Sequence, residues 1–417
     1  MARTVAEVLG KVLGPDVPVA IEAYDGSRMG PADSPATVVV RSPDAFWRVL
    51  TAPGELGLAR AYVAGDLDLQ GDLFALLELR HRLPALTPRH LAMLAAMVAG
   101  TGLRWPPAPP PEEVHLRGRR HSPARDAAAI AAHYDVSNAF YSLFLGPTMT
   151  YSCGVWADPS VGLDAAQEAK HDLICRKLEL REGQRLLDVG CGWGSMVLHA
   201  AQHYGVRAVG VTISRRQAEL AQERVAAAGL SDRVEIRVQD YRDVDDGPFD
   251  AISSIGMFEH VGERMLELYF ARLHALLKPQ GRLLNHAISR PPGGRARMAK
   301  RGFVDRYVFP DGELHEVGRV VSAMQRQGFE VRHLESLREH YVLTLKAWVG
   351  NLERNWDDAV DEAGAARARI WRLYMAGSAA GFDAGRIQVH QVLATRTEQG
   401  RSGMPLRPTW EASTVSR

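Results

Sequence analysis

The segment Arg185-Leu-Leu-Asp-Val-Gly-Cys-Gly-Trp-Gly-Ser195 decides the fold expected of this chain. Its apolar residues predict a buried strand that ends at Asp188, and glycines follow at the alternate positions 190, 192 and 194. Without a Cβ the backbone can turn sharply and let a flat, charged ligand approach, and the next helix points free N–H groups at that ligand. The spacing differs from the G-x-G-x-x-G of dinucleotide-binding proteins. The segment predicts the nucleotide-binding turn of a doubly wound α/β sheet, with a glycine-rich turn that binds nothing as the alternative.

The ends of the next two strands carry polar residues that extend this prediction. Three alternate glycines after an acidic residue fit the S-adenosylmethionine (SAM) turn of class I methyltransferases. The second strand ends without the carboxylate that binds ribose in most nucleotide folds, so Thr212 and Gln217 are its available polar groups. After the third strand, Asp240 can accept the adenine amino hydrogens and Tyr241 can cover the ring. The expected SAM-binding residues in these motifs are Asp188, Gly190, Gly192, Gly194, Thr212, Gln217, Gln239, Asp240 and Tyr241.

The chain is predicted to form two domains joined by a linker. At 417 residues it exceeds most single domains, and the Pro-rich stretch Arg104–Glu113 is typical of a stiff spacer. We expect a small α+β accessory domain at 1–103, a Pro/Arg-rich linker at 104–125, a catalytic domain at 126–400 and a disordered tail at 401–417. The first domain shows no catalytic constellation.

Strands and helices alternate from about residue 184 onward, as βαβ units require. Strands are predicted at 185–189, 207–213, 234–238, 249–255, 281–288, 329–334 and 387–395, with helices including 215–228 and 263–277 between them. A helical insertion at about 338–376 carries five aromatic residues, Tyr341, Trp348, Trp356, Trp371 and Tyr374. Aromatics at this spacing indicate core packing or, because late insertions in methyltransferase sheets commonly roof the substrate site, a substrate cover.

Charge and composition exclude several classes of partner. Fifty basic and 49 acidic residues give a net charge of +1, so no overall field attracts nucleic acid or anionic lipid. Three widely spaced cysteines predict neither a disulfide framework nor a metal knuckle. No apolar run reaches the roughly 18 residues of a membrane span, and the N-terminus lacks a secretory signal. We expect a cytoplasmic protein with peripheral contact to the inner face of the membrane.

Further motifs, spread over residues 130 to 396, resemble those of one enzyme family. They are His133-Tyr-Asp-Val-Ser-Asn138, Tyr151-Ser-Cys153, Ala166-Gln-Glu-Ala-Lys170, Gly256-Met-Phe-Glu-His-Val-Gly262 and Tyr307-Val-Phe-Pro-Asp-Gly-Glu-Leu314. With the glycine turn, VGVTIS and QDYRD, they resemble the cyclopropane-fatty-acyl-phospholipid synthase family. This SAM-dependent family includes the mycolic acid cyclopropane synthases and methyltransferases that build methyl-branched fatty acids. The N-terminal region resembles the extra domain of bacterial members that act on whole phospholipids.

The resemblance implies a class I SAM-methyltransferase sheet and a reaction at the cis double bond of a phospholipid acyl chain. The alkene attacks the SAM methyl group, and the resulting carbocation loses a proton from the new methyl to close a cyclopropane ring. Aromatic faces suit such a cation. The base in the family is usually a bound bicarbonate. Its holders here would be Cys153, Glu259, His286 and Tyr341, which form the catalytic set, together with the Ile288 backbone; Tyr151 and Ser152 would contact the methionine end of SAM.

The same carbocation has a second fate that the motifs do not distinguish. A hydride shift before proton loss leaves a 10-methylene branch, which a separate reductase converts to the methyl branch of tuberculostearic-type chains. Ring formation is the first expectation because it is the commoner reaction in the family. Asp164 stands where many ring-forming members have Glu, which either moves a polar contact or reflects drift on a helix surface. The expected partners are unsaturated phospholipids at the membrane surface and, by resemblance, a second copy through the first domain.

Some of these residues, and the function as a whole, allow other interpretations. Outside its motif, Cys153 would be an inert buried thiol, and a Cys–His–Glu zinc site competes on residue types although no compact ligand pair is present. No metal is therefore expected. His260 and Cys191 are interpreted as structural, and His133 as closing the acyl channel. A methyltransferase for a soluble acceptor and a non-catalytic lipid-binding module are the alternative classes.

A basic stretch follows the strand of His286. It comprises Arg290, Arg295, Arg297, Lys300, Arg301 and Arg306. This stretch predicts either a solvated loop or a contact for lipid phosphates.

Overall fold

The computed structural model describes residues 4–14, 17–79, 86–100, 105–114, 125, 136–293, 302–310 and 312–410. The described residues form two compact units. The first draws on Met1–Leu116, Ala299–Pro310 and Leu352–Ala380, and the second on Arg117–Met298, Asp311–Asn351 and Gly381–Arg417. Among the described residues, we find no helix with the length and apolar character needed to cross a membrane. Three features of the sequence lie outside the described residues: His133, the Ala-rich segment 126–133, which its composition predicts to be helical, and residues 295–301 of the basic stretch.

The N-terminal part of the first unit is an α+β fold, as predicted. Its elements are α1 (Val5–Leu13), β1 (Ala20–Ala23), β2 (Arg28–Met29), β3 (Ala36–Val40), α2 (Asp44–Thr51), α3 (Glu55–Val63), β4 (Leu67–Gly71), α4 (Leu73–Leu79) and α5 (Pro88–Ala99). The strand order is β2-β1-β3-β4, with β1 and β3 parallel. Buried residues of α1, α2, α3 and α5 share one hydrophobic core with this sheet.

The described part of the Pro-rich segment, residues 105–114, is hydrogen-bonded within this unit. Arg48 donates to the Ala108 carbonyl at 2.9 Å, and both oxygens of the buried Glu113 accept from Arg60 at 2.8 Å. Tyr307 also donates to Glu113. These contacts fix the segment because a buried carboxylate needs partners that replace water. The domain boundaries at residues 103 and 125 remain a prediction.

The second unit contains the predicted α/β sheet, which is confirmed. Its elements, and those shared with the first unit, are α6 (Asn138–Leu145), α7 (Leu163–Leu178), β5 (Arg185–Val189), α8 (Ser195–Tyr204), β6 (Arg207–Thr212), α9 (Arg215–Ala227), β7 (Val234–Val238), β8 (Phe249–Ile255), α10 (Leu266–Leu276), β9 (Leu277–Arg290), α11 (Phe303–Tyr307), β10 (His315–Glu316), α12 (Val317–Arg326), β11 (Phe329–Ser336), α13 (Arg338–Arg354), α14 (Trp356–Ala363), α15 (Ala365–Asp383) and β12 (Gln388–Arg396).

The order of these strands creates the place for a ligand. The sheet runs β11-β12-β9-β8-β5-β6-β7, and β12 is antiparallel to both of its neighbours while β9-β8-β5-β6-β7 are parallel. The chain leaves β5 first to one side, through β6 and β7, and then to the other, through β8 and β9. Ligands of doubly wound sheets bind at the carboxyl ends of the strands where the order reverses. That point lies between β5 and β8.

Helices bury both faces of this sheet. Residues of α7, α8 and α9, such as Ile174, Val197 and Ala221, form the core on one face, and residues of α10 and α12, such as Phe270 and Met324, form it on the other. Part of the tail predicted at 401–417 contacts the sheet: Met404 and Trp410 pack against the core, while most of the described residues 401–410 are exposed. Thr395 donates to the Ser402 carbonyl at 3.0 Å, which ties the chain back to β12.

Candidate active site

The glycine turn is shaped by close approaches at the point where the strand order reverses. Gly190 has φ +79°, and a Cβ there would lie 2.8 Å from the Cβ of Met257, which follows β8. Gly192 has φ +54°, and a Cβ there would meet nothing within 4 Å. The N–H groups of Gly190 and Cys191 donate to the Val211 carbonyl of β6. Packing against Met257 therefore requires glycine at position 190, whereas Gly192 faces open space.

One cavity at this end of the sheet brings together ten of the eleven residues predicted to bind SAM. They are Tyr151, Ser152, Asp188, Gly190, Gly192, Thr212, Gln217, Gln239, Asp240 and Tyr241. Gly194 does not line the cavity, because it is the N-cap of α8 and its Cβ position lies 3.2 Å from Ala221. Cys191 and His260 also line the cavity, and burial lowers the pKa of His260 to about 4, so its ring is neutral.

The polar groups at the ends of β6 and β7 already have partners. The Thr212 hydroxyl donates to Gln217 Oε1 at 3.1 Å, so the amide nitrogen of Gln217 is the part of that side chain that can donate to a ligand. Asp240 Oδ1 accepts from the backbone N–H and from Nε of Arg242. Burial raises the pKa of Asp240, but these hydrogen bonds outweigh it and hold the pKa below its usual value. Sequence reasoning missed Arg242, although it stands within the quoted motif QDYRD.

A buried lysine lies at the other end of the cavity. Lys170 of α7 is fully buried, and its Nζ donates to the Ser152 hydroxyl at 2.8 Å. Gln167, one turn earlier, donates to the Ser152 carbonyl at 2.9 Å. Burial lowers the pKa of Lys170 to about 7, with Cys153 and Asp188 opposing that shift. The sequence signal for both residues was the motif Ala166–Lys170, to which no role had been given.

Asp188 is the second buried charge of this region. Ser253 of β8 donates to its Oδ1 at 2.6 Å. Burial raises the pKa of Asp188 to about 6, while Ser253 and Lys170 act in the opposite direction. The carboxyl of Asp188 and the amine of Lys170, whose pKa values are close to each other, thus lie at the strand end where the glycine turn begins.

Glu259, His286 and Ile288 lie together beside the end of β8. Glu259 belongs to a 3-10 turn, Phe258–His260, and its Oε1 accepts from the Ile288 N–H at 2.6 Å. Its Oε2 is buried and has no hydrogen-bond partner among the described residues. Burial raises the pKa of Glu259 to about 7. His286 pairs with Ile255 across β9 and β8, which brings its ring to the same strand ends.

His286 has one ring nitrogen bonded and one without a partner. Its Nδ1 lies 3.2 Å from the Gln391 amide nitrogen. Its Nε2 is buried, with no partner in the described part of the chain. Burial lowers the pKa of His286 well below its usual value, and nearby Lys170 and Lys177 act in the same direction. The ring is therefore a neutral imidazole.

Cys153 and Tyr341 meet at the start of α13. The Cys153 thiol lies 3.2 Å from the Gly154 carbonyl and 3.6 Å from the Leu337 carbonyl, which also accepts from the Tyr341 N–H. Burial raises the pKa of Cys153, so it remains a thiol. The Tyr341 ring packs against Phe382 at 4.6 Å and edge-on to Trp348 at 6.0 Å. Neither of these residues, nor Glu259, His286 or Ile288, lines the cavity described above.

Three further residues from the sequence predictions, Arg290, Arg306 and Asp164, lie outside this cavity. Arg290 forms an ion pair with Glu316 at 2.8 Å and donates to the Leu314 carbonyl, so it is held within the protein. Arg306 of the first unit lies 3.7 Å from Glu113. Asp164 is exposed in the first turn of α7 and does not line the cavity. Its position agrees with drift on a helix surface.

Comparisons with known proteins cover most of the chain. A family model described as mycolic acid cyclopropane synthetase matches residues 121–392. A protein of Mycobacterium tuberculosis, described as a probable fatty acid methyltransferase, is 47% identical over 408 residues, which is 94% of this chain and 95% of that protein. The cyclopropane-fatty-acyl-phospholipid synthase of Escherichia coli K12 is 35% identical over 364 residues, 87% of this chain and 88% of that enzyme.

Solved structures agree with these relatives. A crystal structure of a mycolic acid cyclopropane synthase complexed with SAH and CTAB matches with a TM-score of 0.61 and 34% identity. The match covers 64% of this chain and 98% of that one.

Proposed function

The chain belongs to the mycolic acid cyclopropane synthetase family and is a SAM-dependent methyltransferase, and on this premise we propose that its substrate is an unsaturated acyl chain of membrane phospholipid. The π electrons of the cis double bond form a bond to the SAM methyl carbon as the carbon–sulfur bond breaks. S-adenosylhomocysteine leaves, and a carbocation remains on the acyl chain. Loss of a proton from the added methyl group gives the cyclopropane ring.

Aromatic residues near the predicted methionine end support a cationic reaction. The ring of Tyr151 lies 5.3 Å from that of Trp348, which in turn packs edge-on to Tyr341. Trp348 is fully buried. Aromatic faces stabilise a nearby positive charge, and a dry site prevents its capture by water. An alkene is a weak nucleophile, so its alignment with the methyl group within such a site lowers the barrier.

Two unpaired buried atoms carry the proposal, Glu259 Oε2 and His286 Nε2. Buried polar atoms nearly always have partners, so this pair fits a small oxyanion that is not part of the chain. We infer that bicarbonate is held there by Glu259, His286, Cys153, Tyr341 and the Ile288 backbone. Bicarbonate would supply the base for the proton that the new methyl group loses. In the present structure, Ile288 donates to Glu259 and the Cys153 thiol faces the Gly154 and Leu337 carbonyls, so both donors would exchange partners on binding.

The methylene-branched product is the second candidate. It is favoured by the 47% identical relative, because that protein is described as a fatty acid methyltransferase. In this outcome a hydride moves to the cation before the proton is lost, and a separate reductase would complete the methyl branch. The N-terminal unit is proposed as the accessory domain that contacts the lipid surface or a second copy of the chain.

Labelled methyl transfer to defined vesicles tests the function. The purified full chain is incubated with SAM carrying a 13C methyl group and vesicles of dioleoyl phosphatidylglycerol, with dipalmitoyl vesicles as the saturated control. We expect a gain of one CH2 in the dioleoyl lipid alone, and upfield cyclopropane protons in its NMR spectrum. Exocyclic vinyl protons would instead identify the methylene product. Absence of label in dioleoyl lipid, with SAM binding intact, would refute the lipid substrate.

A further inference from the structure

We propose that Gln391 and Lys177 hold His286 as the neutral tautomer whose proton is on Nε2, so that His286 acts as a hydrogen-bond donor and not as a base. Gln391 and Lys177 would then be positioning residues, since they act through His286. The place of His286 at the reaction rests on the proposed function. Its protonation is a property of this chain's own hydrogen bonds and can be tested separately.

Three neighbouring strands place the interacting side chains in one row. Glu335 of β11 is paired with Gln391 of β12, and Gln391 is paired with His286 of β9. Directly opposite residues on adjacent strands project from the same face of a sheet. Gln391 is fully buried, as is Lys177 of α7, which contacts both Glu335 and Gln391. The register of the sheet therefore brings the row together under one helix.

Lys177 determines which way the Gln391 amide points. Its Nζ lies 2.7 Å from Gln391 Oε1 and forms an ion pair with the Glu335 carboxylate. Burial lowers the pKa of Lys177, but the Glu335 carboxylate opposes that shift and favours the ammonium form. An ammonium donates hydrogen bonds and accepts none, so the atom facing it is the amide oxygen. The NH2 group of Gln391 is then the atom that faces His286 Nδ1, at 3.2 Å.

The amide orientation fixes the proton on the imidazole ring. An amide NH2 group only donates, so Nδ1 must present its lone pair to it. A neutral imidazole carries one N–H, which is then on Nε2. Nε2 is buried in a residue that is 2% exposed, and it has no partner among the described residues. The row of side chains thus ends in a buried donor that lacks an acceptor.

This assignment divides the roles of the two residues at the proposed oxyanion site. A ring nitrogen that already carries its proton cannot accept another without becoming charged, and the lysine charges near His286 oppose that. His286 therefore binds an anion through Nε2–H, and the proton released by the new methyl group goes to a different acceptor. Glu259, whose Oε2 has no described partner, is the neighbouring group that can accept a hydrogen bond from such an anion when it is ionised.

The nitrogen-15 spectrum of the histidine rings tests the assignment directly. The full chain is labelled with 15N-histidine, and the His286 signals are identified by their loss in His286→Gln. Protonated and unprotonated ring nitrogens have well-separated 15N shifts. In the wild type at pH 7 we expect Nε2 protonated and Nδ1 unprotonated. A proton on Nδ1, or on both nitrogens, would overturn the proposal without any variant of the row being needed.

Replacing the Gln391 amide with a carboxylate supplies the second measurement. In Gln391→Glu a carboxylate faces Nδ1, and we expect the proton to appear on Nδ1. The matched control is Gln388→Glu on the same strand, because a residue three positions away lies on the opposite face; its spectrum should equal that of the wild type. An Nδ1 that stays unprotonated in folded Gln391→Glu would also overturn the proposal.

Turnover then connects the tautomer to the reaction. We expect kcat of Gln391→Glu to fall about 100-fold, the typical loss for one oxyanion donor, with the Kd for SAM unchanged. Added bicarbonate should restore part of that loss if the variant binds the anion more weakly. It would not restore a loss caused by general structural damage. If labelled lipid never forms with any variant, the proposed function fails, while the wild-type spectrum still decides the tautomer.

Discussion

The Asp188 and Lys170 side chains at the cavity and the Glu259–His286 pair differ in how their buried ionisable groups are hydrogen-bonded. In the cavity, Asp188 accepts from Ser253, and Ser152 accepts from Lys170. In the pair, one oxygen of Glu259 and one nitrogen of His286 have no described partner. A preformed hydrogen-bond network holds a site in shape before its ligand arrives, whereas an unpaired buried atom stores a cost that a ligand removes. We therefore expect the cavity to govern SAM affinity and the pair to govern turnover.

Replacing the carboxyl of the pair should have the largest effect. Glu259→Gln keeps an oxygen that can accept from the Ile288 N–H but removes the ionisable group. We expect kcat to fall roughly 10²- to 10⁴-fold, the usual contribution of a proton-handling residue, with the Kd for SAM unchanged. Methyl transfer to dioleoyl vesicles and calorimetric SAM titration measure the two quantities. The control is Glu263→Gln, because Glu263 is exposed. A loss of SAM affinity as large as the loss of kcat would contradict the expectation that the pair governs turnover and the cavity governs SAM affinity.

The glycine turn allows a test of shape alone. Gly190→Ala combines a positive φ with a 2.8 Å approach to the Met257 Cβ, whereas Gly229→Ala has φ +68° and nothing within 4 Å. We expect Gly229→Ala to cost about 1 kcal/mol of unfolding free energy, and Gly190→Ala to cost about 3 kcal/mol because overpacking is added. Urea denaturation measures both. Equal costs would show that Met257 moves away, and the turn would then not be fixed by packing.

The elevated pKa of Glu259 should be visible in the pH dependence of stability. Burial raises this pKa from 4.5 to about 7, so between these values the folded chain holds a proton that the unfolded chain releases. This contribution to stability is complete below pH 4.5 and is lost as the pH rises through 7, which amounts to roughly 3 kcal/mol. Glu259→Gln lacks it. We expect the unfolding free energy of the wild type, relative to the variant, to fall over that window. A difference independent of pH would contradict the buried carboxyl.

How far the sequence predicts each region depends on the distance between cooperating residues. The glycine turn and the motif Gln239–Asp243 are local, and the sheet order brings their ends together wherever strands and helices alternate, so the cavity lining could be predicted. Arg242 lies within the same motif but was not predicted, because its salt bridge to Asp240 depends on the side-chain rotamers. The pairing of Gln391 with His286 depends on the register of two strands whose residues are 105 positions apart, and no local motif shows which residues lie opposite each other. The structure alone supplied Lys177.

Removing the buried lysine tests whether the cavity is held in shape from within. Lys170→Met keeps the length of the side chain but removes the donor to Ser152 and the charge beside Asp188. A hydrogen bond from a charged group contributes about 1.5–3 kcal/mol, so we expect the Kd for SAM to rise at least tenfold, with kcat at saturating SAM less affected. The control is Lys346→Met, because Lys346 is exposed on α13. An unchanged Kd would show that Ser152 keeps its position without Lys170.

The smallest effect is expected at the rim of the cavity, where Arg242 pairs with Asp240. Arg242→Gln removes the side-chain contact but leaves the backbone N–H that also donates to Asp240 Oδ1. Partly exposed ion pairs contribute about 0.2–1 kcal/mol, so we expect the Kd for SAM to rise by no more than about fivefold. Calorimetry at low and high salt checks this, because the difference between wild type and variant should shrink as salt screens the pair. A loss as large as that of Lys170→Met would mean that the guanidinium itself contacts the ligand, and the rim would then belong to the binding site and not to its support.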